Sequence, residues 1–155
     1  MSVSITGLGN ANFSEASADW LEWRKVKHEK SYFHSQTGAV VAATEYVFAL
    51  YGATATIKGF RAQITEAVAT GADRTVTIDL AKSTGGGAFA SILGGTIGFT
   101  NLSSLRAWSA ATISNTALAA GDVLRVTVAV AGAAGSQALG LIVALDIAPV
   151  DPSVS

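Results

Sequence analysis

Apolar and polar residues alternate along this chain in recurring runs with a period of two, the spacing of a strand that buries one face. Leu124, Val126, Val128 and Val130 share one side with Arg125 and Thr127 opposite, and Val76, Ile78 and Leu80 oppose Thr75, Thr77 and Asp79. Leu139, Leu141, Val143, Leu145 and Ile147 repeat the pattern with Asp146 on the far side. Runs of this kind are expected at 40–51, 54–65, 74–82, 88–98, 104–114, 123–131 and 138–148. Gly71, the trio 85–87, Gly94 with Gly95, Gly121 and Gly132 punctuate them where tight turns need a positive φ. Short strands at even spacing predict an all-β fold, a single antiparallel β-sandwich of jelly-roll type over 39–148. An N-terminal arm or short helix is expected over 1–38. A tail is expected over 149–155, where Pro149 and Pro152 cannot donate to a ladder.

Residues 126–145 carry no charge and have the length of a membrane helix. The cluster at 132–137, with period-two runs on either side, predicts two strands joined as a hairpin and no membrane span. The first residues lack a positive leader and a continuous apolar stretch, so no secretory signal is expected.

Charge divides the chain. Residues 1–38 carry Glu15, Asp19, Glu22, Arg24, Lys25, Lys27, Glu29 and Lys30, whereas Arg106 is the sole charged residue between Lys82 and Asp122. In SEASADWLEWRKVKHEK, Ser14 or Ser17 at a cap, acids early and bases late suit a short helix, with Ala16, Trp20 and Trp23 on one face. Trp20, Trp23, Tyr32 and Phe33 are apolar anchors in a segment read as too charged for its own core, and Arg24, Lys25 and Lys27 are the rim of that expected interface. Glu22 and Glu29 dilute the basic cluster, and the net charge is −1, so no direct nucleic-acid partner is expected. The Gly-, Ala-, Ser- and Thr-rich stretch 83–120 fits either a subunit interface or loops over a thin core.

Catalytic chemistry finds little purchase. KSTGGGAF places its lysine before the glycines, the reverse of a phosphate-binding loop, and reads as a hairpin. GLGNAN has Asn12 where a dinucleotide fingerprint needs a third glycine. His28 and His34 stand in no metal-ligating frame, cysteine is absent, and no serine sits in GxSxG. Asp73, Asp79, Asp122, Asp146 and Asp151 are expected at strand ends or on outward faces. The expectation is a protein that is not an enzyme, with no catalytic, cofactor or metal residues. In LRAWSAA, Trp108 beside Arg106 is either core or a sugar-stacking surface, with Tyr51 a second candidate for stacking.

A strand pair is expected around TEYVFALYG and TIKGFRAQI, followed by EAVATGADRTVTIDLAKS, a Gly-bounded stretch, and TALAAGDVLRVTVAVAGAAGSQALGLIVALDI. This order resembles β-sandwich modules of tailed-phage virion proteins, such as head decoration or cement proteins and head-fibre proteins. Residues 54–147 carry the resemblance and 118–128 are its most specific part, whereas 1–38 and 83–120 depart from it. The resemblance implies a non-enzymatic virion component without cofactor, assembled in the host cytoplasm. It would be a homo-oligomer, commonly a trimer, bound to the major capsid protein or another virion protein. The alternative it implies is a carbohydrate-binding or host-adsorption module of a fibre or tail.

Overall fold

The computed structural model describes residues 30–48, 54–66, 75–132 and 138–149. Among these the chain forms ten strands: β1 (Lys30–Ala39), β2 (Ala43–Phe48), β3 (Ala55–Gln63), β4 (Thr75–Ser83), β5 (Ala90–Ser91), β6 (Ile97–Phe99), β7 (Ser109–Ala110), β8 (Ala117–Leu118), β9 (Val123–Ala131) and β10 (Leu139–Pro149). They build two antiparallel sheets packed as a β-sandwich. One sheet runs β1-β10-β3-β7 with β8 also on β3, and the other runs β2-β9-β4-β5 with β6 also on β4. The pairings are nested: β1 with β10, β2 with β9, β3 with β7 and β8, β4 with β5 and β6.

Period-two patterning places the core where expected. Val76, Ile78 and Leu80 of β4, Leu124, Val126 and Val128 of β9, and Leu141, Val143, Leu145 and Ile147 of β10 are buried between the sheets. Ile57 and Phe60 of β3 and Phe99 of β6 fill the middle. Burying a side chain of this size contributes about 1.5–3 kcal/mol, and a one-residue slip would turn Arg125 and Asp79 inward.

The connectivity corrects two pairings read from the sequence. β9 and β10 are consecutive but lie in opposite sheets, so 126–145 spans two central strands and not a hairpin. β2 and β3 likewise belong to different sheets and do not pair. Period two tells which face of a strand is buried; it is silent about the neighbouring strand.

The sandwich also begins earlier than residue 39. Lys30–Ala39 is a ten-residue strand paired along β10, from Lys30 opposite Ile147 to Ala39 opposite Leu139. Its inward positions are Tyr32, His34 and Gln36, so it lacks the apolar stripe that would announce it. Tyr32 packs against the chain's own core, which at this position corrects the reading of the segment that carries it as too charged to enter that core.

The stretches 88–98 and 104–114 are not continuous strands. β5 and β6 flank a break at Gly94 and Gly95, and β7 with the bridge between Leu93 and Ile113 is what remains of the second run. KSTGGGAF does form a hairpin loop, with Gly85 and Gly86 at φ 59° and 76° and the Gly87 N–H donating to the Thr84 carbonyl at 3.1 Å. The expected arm or helix up to residue 29, and the tail beyond Pro149, lie outside the described residues.

Candidate functional site

The motif LAAGDVL forms a tight turn that feeds β9. The Asp122 N–H donates to the Ala119 carbonyl at 3.2 Å, and Gly121 in the third position has φ 84°, as a type II turn requires. Asp122 then folds back, and its Oδ2 accepts the Ala119 N–H at 2.9 Å. It stands immediately before β9, at one of the strand ends expected of it, and is 2% exposed. Lys82 Nζ approaches Oδ2 at 3.5 Å and donates to the Ala117 carbonyl at 3.0 Å, tying β4 to β8 and the turn. Burial pushes the Asp122 carboxyl up, but the Ala119 N–H, the Thr84 hydroxyl and the Lys82 ammonium outweigh it and hold it below its ordinary value of 3.8. Oδ2 is thus committed to the turn and to Lys82, while Oδ1 is buried without a hydrogen-bond partner among the described residues.

A second polar cluster sits where β1 and β2, outermost in their sheets among the described residues, face each other across an open seam. Gln36 reads the backbone of Val41 twice: its Oε1 accepts the Val41 N–H at 2.7 Å and its Nε2 donates to the Val41 carbonyl at 3.1 Å. That pair fixes the amide orientation, so the second N–H of Nε2 points at His34 Nε2, 3.1 Å away. On the other side of the ring, His34 Nδ1 stands 3.3 Å from Glu45 Oε1, across the seam on β2. Behind this cluster lies a groove of about 310 Å³ floored by Val126, Val143 and Leu145 and walled by Tyr32 and Val47.

The third cluster lies on the outer face of the first sheet. Asp146 accepts the Ser31 hydroxyl at 2.6 Å and pairs with the Arg61 guanidinium, which also stands 5.1 Å from the centroid of the Trp108 ring. Trp108 is thus neither core nor partnered by Arg106, and it remains 45% exposed. Phe33, 65% exposed, occupies the same sheet row as Ala144 and Arg61. On the opposite outer face Arg125 covers the Phe89 ring at 4.4 Å, with Tyr46 beside it.

Of the residues expected at an interface, Tyr32 and Phe33 stand back to back on β1, one inward and one outward. Trp20, Trp23, Arg24, Lys25 and Lys27 lie outside the described residues, as does Tyr51. Sequence reasoning did not single out Gln36, Glu45, Arg61, Leu102 or Leu105. The alternation Tyr32, His34, Gln36 was the available signal, with polar groups in the inward phase of an edge strand. Leu102 is 88% exposed, and Leu105, Val41 and Tyr46 are also exposed. Among the described residues no three His, Cys, Asp or Glu side chains converge to hold a metal ion, and no helix is long and apolar enough to cross a membrane. No protein-family model matches this chain, and no curated protein matches it.

Proposed function

We propose that this chain is a non-enzymatic structural component of a tailed-phage virion, a capsid decoration or cement protein that acts as a homo-oligomer. Its partners would be copies of itself, in the trimer the resemblance implies, and the major capsid protein or another virion protein. One observation carries the reading: a rigid sandwich that presents large apolar side chains on its outside, while the polar clusters within are spent on its own turns and edges. Phe33, Val41 and Tyr46 are exposed around one edge, and Leu102, Leu105 and Trp108 around the other. Exposed aromatic and aliphatic anchors of this kind suit contact surfaces better than turnover. The nested strand pairing supports a jelly-roll topology, an architecture common in capsid and lectin domains. Residues 1–29 would serve as the docking arm, with Trp20 and Trp23 as anchors.

The half-exposed Trp108 favours a second reading, a carbohydrate-binding or host-adsorption module. Co-sedimentation separates the two. The purified chain is expected to pellet saturably with phage heads from the source that encodes it, at a fixed ratio to the shell subunit. A chain that stays in the supernatant but binds glycans, and loses that binding on Trp108→Ala, would establish the rival.

A further inference from the structure

The connection that crosses the far edge of the sandwich, 100–108, is a held protrusion. The Thr100 N–H donates to Ser103 Oγ at 2.8 Å, the Ser103 N–H to the Thr100 carbonyl at 3.2 Å, and the Leu102 N–H to Thr100 Oγ1 at 3.2 Å. Leu102 is therefore offered to solvent by a pinned turn. Four residues on, the Arg106 N–H is fixed on the Ile64 carbonyl at 2.8 Å and the residue adopts φ 55°, a left-handed conformation unfavourable for any side chain but glycine. Strain of this kind recurs at functional positions, and here it presents an exposed guanidinium amid apolar residues.

The opposite edge is complementary in both respects. The seam between β1 and β2 has the apolar floor described above, and its rim carries Glu45, with a side chain 56% exposed. One Glu45 oxygen faces His34; the other has no hydrogen-bond or ion-pair partner among the described residues. Protrusion and seam lie at opposite ends of the strand order, so they cannot meet within one copy. Two unlike, complementary surfaces at opposite edges define a head-to-tail contact, which closes into a ring when the rotation between copies permits.

We infer that copies of this chain join head to tail, the 100–108 protrusion of one copy seating Leu102 in the β1–β2 seam of the next and setting Arg106 beside Glu45. This rests on the reading of the chain as an oligomeric structural protein and names the surface that assembles it. The second copy is chosen over other occupants by charge: the sole cation of the protrusion meets an acid on the rim of the groove.

The test is the solution mass of the full chain by light scattering and sedimentation. Wild type is expected to be oligomeric. Arg106→Glu and Glu45→Arg should each weaken assembly, raising the dissociation constant about tenfold or more because like charges then face each other. The combined R106E/E45R chain should recover the wild-type mass. Leu102→Asp, at a position that contributes nothing to the core, should give a monomer whose circular-dichroism spectrum matches that of wild type and whose Tm no longer depends on protein concentration. A monomeric wild type overturns the inference, as do single variants of unchanged mass, which would leave the seam to residues 1–29 or to a foreign protein. Failure of the double variant to recover, with Leu102→Asp still oligomeric, also overturns it. Particle binding is read separately: an oligomer that meets these tests yet never pellets with phage heads removes the virion reading and leaves the interface standing.

Discussion

Replacing Asp122 by alanine should be among the most damaging single changes outside the apolar core. The carboxylate is nearly inaccessible, holds the Ala119 N–H, and is the anionic partner of Lys82. A hydrogen bond to a charged group contributes about 1.5–3 kcal/mol, and truncation leaves the Ala119 N–H without its acceptor. Lys82 keeps the Ala117 carbonyl and some contact with water, so losing its ion pair adds no more than about 1 kcal/mol. The expected loss is about 2–4 kcal/mol, a large share of the roughly 5–15 kcal/mol that a domain possesses. In urea unfolding the midpoint should fall without a change in slope, and Tm should drop by roughly 6–12 °C. Lys82→Met should cost less, and the double variant should cost less than the two single losses combined, because the side chains act as a unit. Since the folded-state pKa lies below 3.8, this stabilisation is present above pH 3.8 and is lost as pH falls through the folded-state value. The gap between wild type and Asp122→Ala should therefore narrow in acid. A variant within about 0.5 kcal/mol of wild type, the range of ordinary surface changes, would refute the reasoning, as would a gap equally wide at pH 7 and in strong acid.

Gly140→Ala should be worse than its size suggests: Gly140 has φ 66°, and a Cβ there would stand 2.8 Å from Thr65 Cγ2 and closer still to its Oγ1. A loss of about 3 kcal/mol or more is expected by thermal unfolding, partly recovered by adding Thr65→Ala. Tyr32→Ala should cost about 1–2 kcal/mol and Phe33→Ser less than about 0.5 kcal/mol, because these neighbours point to opposite faces of β1; equal losses in denaturant titration would contradict its register. Trp108→Ala should leave the fold intact and cost about 0.5–1 kcal/mol, the worth of the Arg61 stack, and calorimetry would detect a larger, core-like loss.

Strands with one apolar face were legible from sequence alone. Because a two-layer sandwich needs one buried face per strand, β4, β9 and β10 bury the residues their alternation nominated, except that Val130 and Leu139 at strand ends are only half-buried. β1 was not legible, since its inward His34 and Gln36 are held by hydrogen bonds along an open seam and only Tyr32 packs on the core, so it carries no apolar stripe. The partners of each strand were misread for a related reason: β2 and β3, like β9 and β10, are joined in sequence but cross between sheets, and nothing in a period-two pattern encodes that. Stretch 83–120 contributes to the core and also carries exposed apolar residues. It places Ile92, Ile97, Phe99 and Leu118 in the core, and it exposes Leu102, Leu105 and Trp108. The sequence places Asp122 at a strand end but shows no partner for it; its role emerges only when Lys82, forty residues away in sequence, is brought alongside. The most family-like stretch of the chain is thus explained by folding, and the surfaces proposed for assembly lie on residues that carry no motif.

The central claim, that the chain is a stoichiometric part of a particle, is tested most directly by counting it there. Particles banded on a density gradient, from the source that encodes the chain, are quantified by mass spectrometry against labelled peptides of the chain and of the shell subunit. The account predicts that the chain co-bands with the particles at a constant ratio to the shell subunit through successive gradients. A chain recovered only in the soluble fractions, or one whose ratio falls towards zero on rebanding, would contradict it.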